Sequence, residues 1–111
     1  MKFSSRINSF KSRPELFFDK DKIDTVDLIT RMASVKGLTH VELNYPEHFQ
    51  LNTLGEIKDA IASSPLALGG IALRYQKHFN EGEFSNPDPK IREKAIEITM
   101  EAVNVCRETR R

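Results

Sequence analysis

The sequence predicts an α/β fold: a parallel (βα)3 segment, read as the first three-eighths of a (β/α)8 barrel. Three observations carry this reading. Segments of alternating polarity and segments with apolar residues at helical spacing follow one another in strict turn along the chain. Such alternation implies parallel strands joined by right-handed crossovers. The three units share 111 residues, so eight of about that size would give a chain of about 300, within the range of such barrels. Residues 1–111 are then three βα units of one domain, and the rest of the barrel is expected from outside this chain.

The first strand is expected over Lys2 to Ser9, with Phe3 and Ile7 on one face and Ser4, Arg6 and Asn8 on the other. Asp24 is a good N-cap for the first helix, which carries Val26, Ile29, Met32 and Ala33 on one stripe and ends at Gly37. The second strand runs from Thr39 to Tyr45, with Val41 and Leu43 opposed to His40, Glu42 and Asn44, and Pro46 stops it. Thr53 and Glu56 have capping-box spacing before a short second helix with Leu54, Ile57 and Ile61 on its apolar side, closed by Ser63-Ser64-Pro65. A third strand, Leu66 to Tyr75, sets Ile71 and Leu73 against Gly70, Ala72 and Arg74, and its glycines suggest close packing. Asp88-Pro89 supplies an N-cap with proline at N1, and Ile91, Ala95, Ile98, Ala102 and Val105 carry the longest helix toward the C-terminus.

Composition excludes several classes of function. With 17 basic and 16 acidic side chains the net charge is +1, which gives no bulk attraction to nucleic acid or to an anionic membrane. No apolar run approaches the length of a membrane span, and the N-terminus lacks the apolar core of a signal peptide, so the cytoplasm is the expected location. The single cysteine, Cys106, can neither close an internal disulfide nor build a zinc site by itself. Gly69-Gly70 lies within a strand and is no phosphate loop.

The connections after strands, Phe10 to Lys22, Pro46 to Asn52 and Gln76 to Asp88, are much longer than those after helices, Gly37-Leu38 and Ser63 to Pro65. Long loops at the strand C-terminal ends build the binding face of α/β folds. If Val41, Leu43, Ile7, Ile71 and Leu73 face the helices, then Arg6, Asn8, Glu42, Asn44 and Arg74 line the opposite side. These groups suit a polyhydroxylated ligand: arginine forks hold oxygen atoms, and the carboxylate and carboxamides orient hydroxyls. An internal ion pair of Glu42 with Arg6 or Arg74 is the structural alternative. His40 sits low on its strand and is read as structural. His48 and His78, on the loops nearer the mouth, join Glu42 as candidate catalytic residues, against the alternative of solvated loop histidines; their spacing fits no zinc motif. Phe17, Phe18, Phe49, Phe79 and Phe84 lie on the same loops, where they either wall a sugar pocket or plug gaps between loops.

The runs Gly37-Leu38-Thr39-His40-Val41-Glu42-Leu43-Asn44-Tyr45-Pro46, Gly70-Ile71-Ala72-Leu73-Arg74-Tyr75 and Phe84-Ser85-Asn86-Pro87-Asp88-Pro89-Lys90-Ile91-Arg92 resemble the xylose isomerase-like barrel superfamily of sugar phosphate isomerases and epimerases. The resemblance implies a barrel that interconverts sugars with one divalent metal (Mn, Mg, Co or Zn) held by Glu, Asp and His residues of later strands, none of them in this segment. It also implies a substrate-side wall of Arg6 and Asn8, Glu42 to Tyr45, and Arg74 with Tyr75. The remaining strands, or a second chain in a homo- or hetero-oligomer, would complete the barrel. A catalytic subunit of a C-glycoside deglycosidase-type lyase is the related alternative, and a non-catalytic α/β module that oligomerises is the other. DNA repair enzymes that share the barrel need metal-binding histidines where this sequence has Asn44 and Arg74.

Overall fold

The computed structural model describes residues 1–17, 22–75 and 79–109. Three parallel strands, β1 (Ser4–Arg6), β2 (His40–Tyr45) and β3 (Ala67–Leu73), form one sheet in the order β1-β2-β3. Between and after them run α1 (Thr25–Ala33), α2 (Leu54–Ala62) and α3 (Pro89–Thr109). The α/β class and the parallel sheet are therefore as expected, and the sheet is open.

The helices start where capping chemistry starts them. The Asp24 side chain accepts from the Asp27 N–H at 2.8 Å while the Asp27 carboxylate accepts from the Asp24 N–H at 3.1 Å. Thr53 and Glu56 make the equivalent reciprocal pair at α2, the box expected from their spacing. At α3 the Asp88 carboxylate accepts from the Lys90 N–H at 2.9 Å, with Pro89 in the first turn as expected. The α1 helix stops at Ala33, before Gly37, whose φ of 99° turns the chain toward β2.

Ile7, Leu28, Ile29, Met32, Val41, Leu43, Ile57, Ile61 and Leu66 form the core between the sheet and the helices. The α1 stripe is centred on Leu28, Ile29 and Met32, and Val26 is only half-buried. Among the described residues nothing covers the opposite sheet face: Ser4, Arg6 and Glu42 are exposed, and a Cβ built on Gly70 would meet nothing within 4 Å. Gly69 is different. It sits at the register irregularity beside Val41 and Glu42, where a Cβ would come within 3.0 Å of Ser4 Oγ and 3.2 Å of His40 Cβ. Close packing thus holds for one of the two glycines.

The first strand departs most from expectation. It covers three residues, not Lys2 to Ser9, and gives way at Ile7 to a 3-10 segment, Ile7–Ser12. Ile7 drops into the core beside α1, whereas Phe3 is 52% exposed. The turn carries Asn8 and Ser9 over the C-terminal rim of the sheet and packs Phe10 against the core, away from the open face.

Candidate functional site

The C-terminal ends of the three strands meet at an open depression of 590 Å³ lined by Arg6, Asn8, Ser9, Asn44, Glu47 and Arg74. Each strand contributes at its end. Arg6 is the last residue of β1, Asn44 the penultimate residue of β2, and Arg74 follows β3, where its N–H donates to the Tyr45 carbonyl at 2.8 Å. Asn8 and Ser9 come from the 3-10 segment after β1, and Glu47 from a 3-10 turn, Glu47–Phe49, that follows the cis Tyr45–Pro46 peptide.

The structure brings together four of the expected wall residues, Arg6, Asn8, Asn44 and Arg74. Both arginines are exposed, and among the described residues no hydrogen bond or ion pair occupies either guanidinium. Glu42 lies beside Arg6 in register but forms no ion pair with it; its carboxylate accepts from the Ser4 hydroxyl at 3.2 Å. It sits two residues before Asn44, down the open face and outside the depression.

Tyr45 and Tyr75 do not line the depression. Each follows a wall residue by one position, and alternation sends it to the helix side. The Tyr45 hydroxyl donates to the Glu101 carboxylate of α3 at 2.9 Å, and burial together with that acid raises its pKa. The Tyr75 hydroxyl pairs with Thr99 Oγ1 at 2.8 Å. The aromatic loop residues also pack rather than wall the site: Phe49 stands against Tyr45, and Phe79 and Phe84 meet Tyr75 edge-on. The Phe17 side chain, Phe18 and His78 lie outside the described residues.

His48 is not at the mouth but behind it, 3% exposed, with both ring nitrogens engaged. Nδ1 accepts from the Asn44 N–H at 2.6 Å, and Nε2 meets Asn8 Oδ1 at 2.7 Å. Its carbonyl accepts from the buried Thr25 hydroxyl of α1. Burial holds the imidazole pKa below its usual range, and nearby Lys11 adds to this against the opposing pull of Glu47. A ring whose free lone pair is already taken by a backbone N–H is no base toward a ligand, which removes His48 from the catalytic candidates. His40 bonds its neighbour Thr39 through Nδ1 at 2.7 Å and lines a separate cavity at the other end of the sheet.

Sequence reasoning missed Ser9 and Glu47. The Asn8 amide donates to both Glu47 carboxylate oxygens, at 3.1 and 3.3 Å. That bond is the largest cause of a lowered Glu47 pKa; the charges of His48 and Lys11 and a bond from Asn44 work the same way against burial. A lining with two arginines and a single carboxylate does not fit a divalent cation. Among the described residues no three His, Cys, Asp or Glu side chains gather to hold one. The donor set fits oxygen-rich, anionic or hydroxylated ligands. No helix of the described residues is long and apolar enough to cross a membrane. Neither protein-family models nor curated proteins give a match to this sequence.

Proposed function

We propose that this chain is the substrate-side wall of a sugar isomerase or epimerase, its three βα units forming the first part of a (β/α)8 barrel of the xylose isomerase-like kind. The observation that carries the reading is the convergence of Arg6, Asn8, Asn44 and Arg74 on one depression at the strand C-terminal ends, with neither guanidinium hydrogen-bonded or ion-paired among the described residues. In the open (β/α) architecture this is where ligands bind. The divalent metal of such enzymes, which would polarise a carbonyl, is assigned in this reading to later strands. The work of this chain is binding. Arg6 and Arg74 take the anionic or most electron-rich oxygens of the sugar, the carboxamides orient hydroxyls, and Glu47 accepts a hydrogen bond from a hydroxyl.

The test is binding of D-ribose 5-phosphate to the full chain by equilibrium dialysis, with D-ribose and inorganic phosphate alongside. Wild type is expected to bind the sugar phosphate more tightly than either part. Arg6→Ala or Arg74→Ala should weaken it at least about tenfold, as expected for loss of a charge-assisted bond, without moving the melting temperature by more than a few degrees. No binding of any of the three probes, or full affinity in the double variant, overturns the proposal. Turnover of the sugar phosphate by this chain alone would overturn the assignment of the metal ligands to later strands.

A further inference from the structure

The polarity of one wall of the depression is set from behind by groups that have only one hydrogen-bonding role. The Asn44 backbone N–H can only donate, so His48 Nδ1 must be the acceptor and the neutral ring must carry its proton on Nε2. The Glu47 carboxylate, its pKa lowered, can only accept, so the Asn8 atom that faces it is Nδ2. The two constraints come from opposite ends of the chain of bonds and agree at its centre, where Nε2–H donates to Asn8 Oδ1 at 2.7 Å. A flipped Asn8 would set its carbonyl against the carboxylate and its amide against Nε2–H, losing the bonds to Glu47 and to His48 together.

We infer that His48 is a positioning residue that locks the Asn8 carboxamide with its amide toward Glu47 and the depression, making Asn8 and Glu47 a donor–acceptor couple for one hydroxyl of the ligand. The ligand half of this inference rests on the reading of the depression as a sugar pocket. A hydroxyl is the group that fits both partners, because it donates to the carboxylate while accepting from the second amide hydrogen. A phosphate oxygen accepts only and is repelled by Glu47, so the phosphate of a sugar phosphate belongs with Arg6 and Arg74 and the hydroxyl with Asn8. His48 itself does not line the depression and acts through Asn8. Its buried ring, anchored through its carbonyl to Thr25, transmits the position of β2 to Asn8 across the end of the sheet.

The test begins with the wild-type chain, selectively labelled with 15N in histidine rings and asparagine side chains. It is read in solution or, for an assembled chain, by magic-angle spinning. The expected spectrum at neutral pH has Nδ1 of His48 bare, Nε2 protonated and the Asn8 amide shifted from the free-amide position. The variants separate the two ring atoms: in His48→Gln the amide nitrogen falls near Nε2 and keeps the bond to Asn8, whereas in His48→Asn it falls near Nδ1 and cannot reach. His48→Gln should preserve the Asn8 signal. His48→Asn should move it from the wild-type position, with only the bond to Glu47 left, and weaken D-ribose 5-phosphate about tenfold, the size expected for one lost hydrogen bond, with inorganic phosphate unaffected. A proton on Nδ1, or an Asn8 signal identical in wild type and His48→Asn, overturns the positioning role whether or not sugar binds. The wild-type spectrum decides this even if a variant fails to fold. Expected spectra with no sugar phosphate binding to wild type leave the positioning role standing and overturn the sugar-pocket reading.

Discussion

His48 and Glu47 are adjacent in sequence and titrate in ways that act together on stability. The His48 pKa lies below its unfolded value of about 6.5, so below that pH the unfolded chain binds more protons than the folded one and stability falls. The Glu47 pKa is also lowered, so its contribution is present above its unfolded value of about 4.3 and is lost as pH drops through the folded value. Both slopes have one sign. Thermal melts should show stability declining from about pH 6.5 downward, and His48→Gln should flatten the first part of the decline while leaving the acid limb. A wild-type melting temperature unchanged between neutral pH and pH 5 would contradict this. At this scale the sequence was legible where strand alternation alone decides a direction, as for Arg6, Asn44 and Arg74. The same alternation, applied one position further, points Tyr45 and Tyr75 to α3, so that signal was present in the pattern. The burial of His48 was not, because it depends on a 3-10 turn after Pro46 folding back under Asn8, and turn geometry of that kind leaves no periodicity.

The element starts were the most readable features, since capping is local chemistry. Thr53 with Glu56 and Asp88 with Pro89 mark α2 and α3 without reference to anything distant. What ties elements together is less visible, and Asn52 is the clearest instance. Buried at the start of α2, it accepts from the Val26 N–H at 3.1 Å and donates to the Asp24 carboxylate at 3.2 Å and the Glu56 carboxylate at 3.4 Å. One carboxamide thus joins the capping boxes of α1 and α2 and keeps two like charges in a common bond network. Asn52→Ala should destabilise the fold by about 1–3 kcal/mol, and Asn52→Asp by more, because it adds a third carboxylate. Urea denaturation at fixed protein concentration measures this, with an unchanged m-value expected. A loss under about 0.5 kcal/mol would place Asn52 among ordinary surface positions. The shortened β1 was unreadable for a related reason: Phe3 and Ile7 keep strand spacing, yet only Ile7 finds a partner helix, and it does so by leaving the strand.

The molecule as a whole presents an all-parallel sheet with helices packed on one side and Glu42, Arg6 and the open space above Gly70 on the other. Parallel sheets are normally covered on both faces, and β1 and β3 each leave an unpaired edge among the described residues. Along α3, Ile96, Met100 and Val103 add an exposed apolar stripe. The isolated chain should therefore self-associate. Size-exclusion chromatography with light scattering is expected to show species above 12.7 kDa, and a sharp two-state melt from a monomer would contradict it. The order β1-β2-β3 repeats the order of the chain, so each strand pairs with the one before it. During synthesis every new strand therefore finds its neighbour already made, and no finished pair has to reopen to admit a later arrival. Because β1 offers only three residues for pairing, the hydrogen-bonded ladder has little to hold until the βαβ unit from His40 to Leu73 has left the ribosome.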